Sequence, residues 1–148
     1  MRDLPRQLTE DQLAELFEGR TRLVEVLASR EDPLGTAEGA IAELDEQDKI
    51  EALAAHPAIG AKHLSERSAA EQGNEADPVV MTELAYLNQV YEEKFGFRFV
   101  VFVNARPKTE ILDVLRRRLE RSRDEELQTG LEELVEIARD RYLRPSQR

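Results

Sequence analysis

The chain has 148 residues, no cysteine and a formal net charge of -10. That length bounds a single domain, residues 1–148, able to bury roughly 70% of its unfolded surface without a disulfide or metal clip. The missing thiols exclude cysteine nucleophiles and iron–sulfur ligation, and the acidic balance argues against a general nucleic-acid binder.

At the N-terminus, Met1-Arg2-Asp3-Leu4-Pro5 lacks the apolar run of a signal peptide, and no stretch approaches the ~20 apolar residues of a membrane span. The expectation is a cytoplasmic protein with no membrane partner. Thr9-Glu10-Asp11-Gln12 is a capping box that opens a helix carrying Leu13, Leu16 and Phe17 on one side, with Gly19 as its stop. Thr21 to Ala28 repeats the pattern with Leu23, Val24 and Leu27, and Asp32-Pro33-Leu34-Gly35 is a turn. Thr36 caps a helix with Ala40, Ile41 and Leu44 inward. Asp45 or Asp48 starts another, which carries Ile50, Leu53 and Ala54 up to His56.

Pro57 drives the residue before it out of the helical region, so this helix ends near His56. After the polar stretch to Asp77, Pro78 opens a long helix with Leu84, Leu87, Asn88, Tyr91 and Phe95 on one face and Gly96 as its stop. Residues 97–103, Phe-Arg-Phe-Val-Val-Phe-Val, are the one run that reads as extended, and no second run of this kind exists to pair with it. Its amides and carbonyls need other partners, and a ligand is one candidate. Pro107 and Lys108-Thr109 open the next helix, with Ile111, Leu112, Leu115 and Leu119 inward. Asp124 opens the last, with Leu127, Leu131, Leu134, Val135 and Ala138 inward and Arg141 one turn beyond; Pro145 ends it. The pattern is that of an all-α fold, a single-domain bundle of about seven to nine helices with one short extended segment near 97–103. Leu4, Leu8 and Phe17 are candidates for an exposed apolar seam between copies.

Residues 56–72 stand out as the candidate site, because a polar segment between two buried helices can hold reactive side chains on restrained backbone. His56, at the negative end of a helix dipole, reads as poised to hold a proton near neutral pH, or else as a cap on the carbonyls of its own helix. His63 matches no usual zinc spacing with His56, and no third ligand is evident, so no metal is expected. Ser68-x-x-Glu71 is itself a capping-box pattern; its functional reading makes Glu71 a carboxylate beside His56. Arg141 either snorkels to water or clamps a carboxylate. Residues 98–123 carry eight Lys and Arg against three acids, which suits a small anionic ligand or a solvated, charge-alternating helix face.

Taken together, His56-Pro57-x-Ile59-Gly60, Ser68-x-x-Glu71-Gln72, Leu87-Asn88-x-x-Tyr91-x-x-Lys94-Phe95-Gly96-Phe97-x-Phe99-Val100, Arg118-Leu119, Glu126 and Ile137-Ala138-x-x-Arg141 resemble the OHCU decarboxylase family. The full name is 2-oxo-4-hydroxy-4-carboxy-5-ureidoimidazoline decarboxylase. The resemblance implies an all-helical homodimer needing no cofactor or metal, which converts an unstable anionic ureidoimidazoline from urate oxidation to (S)-allantoin and carbon dioxide. It implies His56 as catalytic proton donor and Glu71 as its carboxylate partner. Pro57, Ser68, Glu71, Gln72, the backbone of Phe99, Val100, Val101, Phe102 and Val103, and Arg141 would line the substrate. Only eleven residues separate His56 from Ser68, fewer than the family usually has. That shortening keeps open a related ureido or imidazoline acid as substrate, alongside a non-enzymatic helical interaction module.

Overall fold

The computed structural model describes residues 7–59 and 77–144. Seven helices lie within them: α1 (Glu10–Phe17), α2 (Arg22–Ala28), α3 (Ala37–Ala42), α4 (Glu46–Ala55), α5 (Pro78–Phe95), α6 (Lys108–Arg118) and α7 (Arg123–Leu143). No strand forms among the described residues, so the all-α reading holds.

The helix starts follow local chemistry. Thr9 caps α1 in a full capping box with Gln12, Thr21 caps α2, and Asp45 caps α4 through the Asp48 amide. Each side-chain oxygen takes an amide that has no partner within its helix. Thr36 occupies the cap position of α3 without making that bond; its hydroxyl donates to the Asp32 carbonyl instead. The last helix starts at Ser122, whose box partner is Glu125, rather than at Asp124. Gly96 ends α5 at φ 83, a left-handed turn that favours glycine. The end of α1 differs from expectation: the left-handed residue is Glu18, at φ 61, and not Gly19.

Long helix α7, about 32 Å by its 21 residues, packs against α1, α3 and α4, while α5 and α6 pair with each other. Leu127, Leu131, Leu134, Val135 and Ala138 form its buried face, the i, i+4, i+7, i+8 stripe of a core helix. Gly130 lets α4 approach closely, since a Cβ there would sit 3.2 Å from Leu53 Cδ2. Leu8 and Phe17 are 8% and 2% exposed and belong to this core, which overturns their reading as an exposed seam. Phe17 lies on the face of α1 that packs against α2 and α7, and Leu8, just before that helix, joins the same core, so the apolarity that suggested a partner serves the monomer. Leu4 lies outside the described residues. The exposed large apolar side chains are instead Val79 (74%) and Tyr86 (64%) on α5.

Residues 97–103 belong to no helix or strand and are held by side chains rather than by a ladder. The Arg118 guanidinium donates to the Val100 carbonyl at 2.8 Å, and the Phe102 amide donates to Glu133 Oε1 at 2.9 Å. Arg106 donates to the carbonyls of Phe102 and Val103. Behind the segment, Glu126 is fully buried and accepts from Tyr91 Oη at 2.6 Å, Arg118 Nε at 2.7 Å and Arg121 Nη1 at 3.0 Å. The Arg118 guanidinium also lies 4.6 Å over the Phe99 ring. Burial, and then the bond to Glu126, push the Tyr91 hydroxyl well above its ordinary range, so it remains a donor. Tyr91, Phe95, Phe97 and Phe99 pack edge to face or stacked around it.

Candidate active site

Pro57 ends α4 as the sequence indicates: His56 is its C-cap, at φ -83 and ψ 134, in extended backbone. The cap on the α4 carbonyls comes from Arg98, whose Nη1 donates to Ala54 O at 3.0 Å and His56 O at 2.7 Å. This answers the reading of His56 as its own helix's cap, because a guanidinium from residues 97–103 holds those oxygens. The imidazole is turned inward and is 6% exposed. Past Pro57, the Ile59 carbonyl accepts from Asn88 Nδ2 at 3.3 Å, which ties this turn to α5.

Among the described residues, His56, Pro57 and Ile59 form one wall of a small pocket with a cavity volume of about 20 Å³, room for about one water. Phe99, Val101, Phe102, Val103 and Ile137 form the rest. Six of the residues singled out from the sequence are therefore neighbours here, though His56 and Val103 are far apart in the chain. Val100 is not among the lining residues; its carbonyl is turned to Arg118. Ser68, Glu71, Gln72 and His63 lie outside the described residues. Among the described residues, no group of three His, Asp or Glu side chains could hold a metal ion.

Arg141 neither snorkels to water nor lies at the surface. It is buried, with Nη1 donating to Leu16 O at 3.0 Å and Nη2 to Glu18 Oε2 at 3.0 Å. The same Glu18 oxygen lies 3.6 Å from His56 Nδ1. The expectation that His56 holds a proton near neutral pH is corrected by these surroundings. Burial, and then the charge of Arg141, lower its pKa from 6.5 to about 4, against the opposing pull of Glu18 and with a further lowering by Arg98. Desolvation and two cations outweigh the helix dipole and one carboxylate. At neutral pH the contact with Glu18 is therefore one between a neutral ring and a carboxylate.

The profile of the OHCU decarboxylase family matches residues 2–143. The chain belongs to that family. It is 30% identical to the uric acid degradation bifunctional protein PucL of Bacillus subtilis (strain 168), over 91% of this chain and 30% of that protein. It is 31% identical to the 2-oxo-4-hydroxy-4-carboxy-5-ureidoimidazoline decarboxylase of Haloferax volcanii, over 67% of this chain and 62% of that one. The chain thus spans less than a third of the Bacillus protein and under two thirds of the archaeal one. Its fold matches a crystal structure of OHCU decarboxylase in the presence of (S)-allantoin, with a TM-score of 0.74 at 23% identity over 91% of this chain and 99% of that one.

For a member of the OHCU decarboxylase family, four site residues escaped the sequence reading as site residues: Glu18, Ile59, Arg98 and Ile137. Ile59 and Ile137 stand inside the motifs that carry the resemblance, but as apolar positions they gave no sign of lining the pocket. Arg98 is an isolated charge inside an apolar run, which hints that its head is tied elsewhere. Glu18 left one clue, an acidic residue at the negative end of a helix, where the dipole disfavours it.

Proposed function

We propose that this chain decarboxylates 2-oxo-4-hydroxy-4-carboxy-5-ureidoimidazoline to (S)-allantoin and carbon dioxide, using the pocket beside His56. The observation that carries the reading is the juxtaposition of His56 with the Phe99–Val103 wall in a member of this family. A heterocycle rich in N–H and C=O groups suits the backbone groups of residues 99–103 that Arg118, Glu133 and Arg106 do not take. Ser68, Glu71 and Gln72, carried over from the motif, complete the substrate contacts in this reading.

Loss of carbon dioxide leaves an electron pair that the ring C=N bond of the substrate can accept. The protein then has to orient the carboxylate and deliver one proton to one face. Arg98 and Arg141 supply positive potential near His56, which favours an anionic ligand. An entering carboxylate offsets the two cations that depress His56, so its proton affinity rises when substrate binds. The imidazolium formed there gives its proton to the ring as the C–C bond breaks and regains one from solvent. Proton delivery from a fixed wall to one face yields one enantiomer. Freshly generated substrate, followed by its ultraviolet absorbance, should disappear faster with the protein than without it. Equal rates would overturn the reading. The short His56–Ser68 spacing favours a second reading, a related ureido or imidazoline acid, which a panel of such acids in the same assay separates.

The reading includes a cytoplasmic homodimer. A chain without cysteine suits a reducing compartment, and Val79 and Tyr86 offer apolar surface for a second copy. Sedimentation of the protein with and without Tyr86→Glu tests the dimer.

A further inference from the structure

Glu18 belongs to no motif that pointed to the site, yet its carboxylate binds Arg141 and faces the buried His56 Nδ1, which has no hydrogen-bond partner of its own. Its Oε2 lies 3.0 Å from Arg141 Nη2 and 3.6 Å from His56 Nδ1. Its side chain is 13% exposed, beside an imidazole at 8% and a guanidinium at 1%. The backbone beneath it is in the left-handed region, at φ 61, where a residue with a Cβ is disfavoured. Glycine follows at once, so moving the left-handed turn one residue on would relieve the strain. Strain of this kind persists only where the surroundings fix it, here by anchoring the carboxylate on Arg141.

We propose that Glu18 is a positioning residue that fixes the tautomer and the orientation of His56. With the carboxylate on the Nδ1 side, the ring keeps Nδ1–H toward Glu18 and turns Nε2 to the pocket. This rests on the reading of His56 as the proton carrier, and it adds a direction to it. When His56 becomes doubly protonated, Glu18 holds the Nδ1 proton and only the Nε2 proton is free to leave. After the transfer the ring returns to the neutral Nδ1–H form in which it began. Among the described residues, the charged groups facing the ring are Glu18 from the end of α1, Arg141 from α7 and Arg98. Of these only Glu18 can accept a proton donated by Nδ1.

The test is nitrogen-15 NMR of the full chain at neutral pH, with His56 assigned by comparison with His63→Gln. The wild type is expected to show Nδ1 protonated and Nε2 bare. Glu18→Gln keeps the shape without the charge and should give a mixed or Nε2–H signal, with kcat at least about 10-fold lower. Glu18→Asp keeps the charge, tolerates the left-handed turn better and should retain most of the Nδ1–H form and of the rate. If Glu18→Gln does not fold, Glu18→Asn, which also lacks the charge and suits the left-handed turn, carries the same expectation. A wild-type ring protonated on Nε2 would overturn the proposal, and so would a folded Glu18→Gln or Glu18→Asn with unchanged tautomer and turnover. The NMR reports on Glu18 even if the wild type turns over no ureidoimidazoline, so failure of the proposed reaction and failure of this assignment are told apart.

Discussion

The chain holds two buried arginine–carboxylate clusters, and they differ in the third group each carries. In one, Glu126 takes Arg118, Arg121 and the Tyr91 hydroxyl at 2.6–3.0 Å, and the hydroxyl keeps its proton. In the other, Glu18 takes Arg141 at 3.0 Å and stands 3.6 Å from an imidazole whose proton affinity is held down. In the first cluster the Tyr91 hydroxyl is held as a donor, and Arg118 anchors residues 97–103 from behind through the Val100 carbonyl. The second leaves a titratable ring next to a pocket, under the control of neighbouring charges. Similar side chains thus give a strut in one place and a proton carrier in the other, and the difference lies in which third group is present and how closely it is held.

The largest expected effect breaks the strut. Glu126→Ala leaves Arg118 buried without its counter-charge and should cost about 3–5 kcal/mol of stability; urea unfolding measures it, and a loss near zero would mean the cluster does not bear on the fold. Next comes the carrier. His56→Ala should lower turnover by at least ~100-fold while its unfolding midpoint stays close to that of the wild type, the reverse of the Glu126 outcome.

A third comparison uses pH. The folded His56 gains its proton only near 4, whereas an unfolded histidine gains one near 6.5. Between those values the unfolded chain binds more protons, so this contribution to stability is full above 6.5 and is lost as pH falls toward 4. From pH 7 to pH 5 the loss should be about 2 kcal/mol, and it should be absent in His56→Asn. The smallest effect concerns the turn that ends the shared segment. Asn104 and Ala105 sit at φ 50 and 63. Ala105→Gly should stabilise the protein by about 1 kcal/mol or less, with turnover unchanged.

Much of this architecture was legible from local chemistry. Pro57 fixed the end of α4, Thr9, Thr21 and Asp45 fixed helix starts, and the unpaired run 97–103 announced a segment in need of unusual partners. What could not be read depended on contacts distant in sequence. Arg141 meets Leu16 and Glu18 only once α7 packs on α1, and burial of the ring, then the charge of Arg141, keeps His56 neutral. Arg98 reaches back to the α4 carbonyls across 42 positions, taking the role that His56 had been read as filling. Phe17 and Leu8 looked free because the elements that cover them are set by packing and not by local pattern.

The central claim is that a proton leaves His56 toward one face of a ring held against residues 99–103. The enantiomeric composition of allantoin, measured by circular dichroism as the protein consumes freshly generated 2-oxo-4-hydroxy-4-carboxy-5-ureidoimidazoline, tests it most directly. The account predicts an excess of the S enantiomer with the wild type that disappears in His56→Ala; racemic allantoin from the wild type would contradict it.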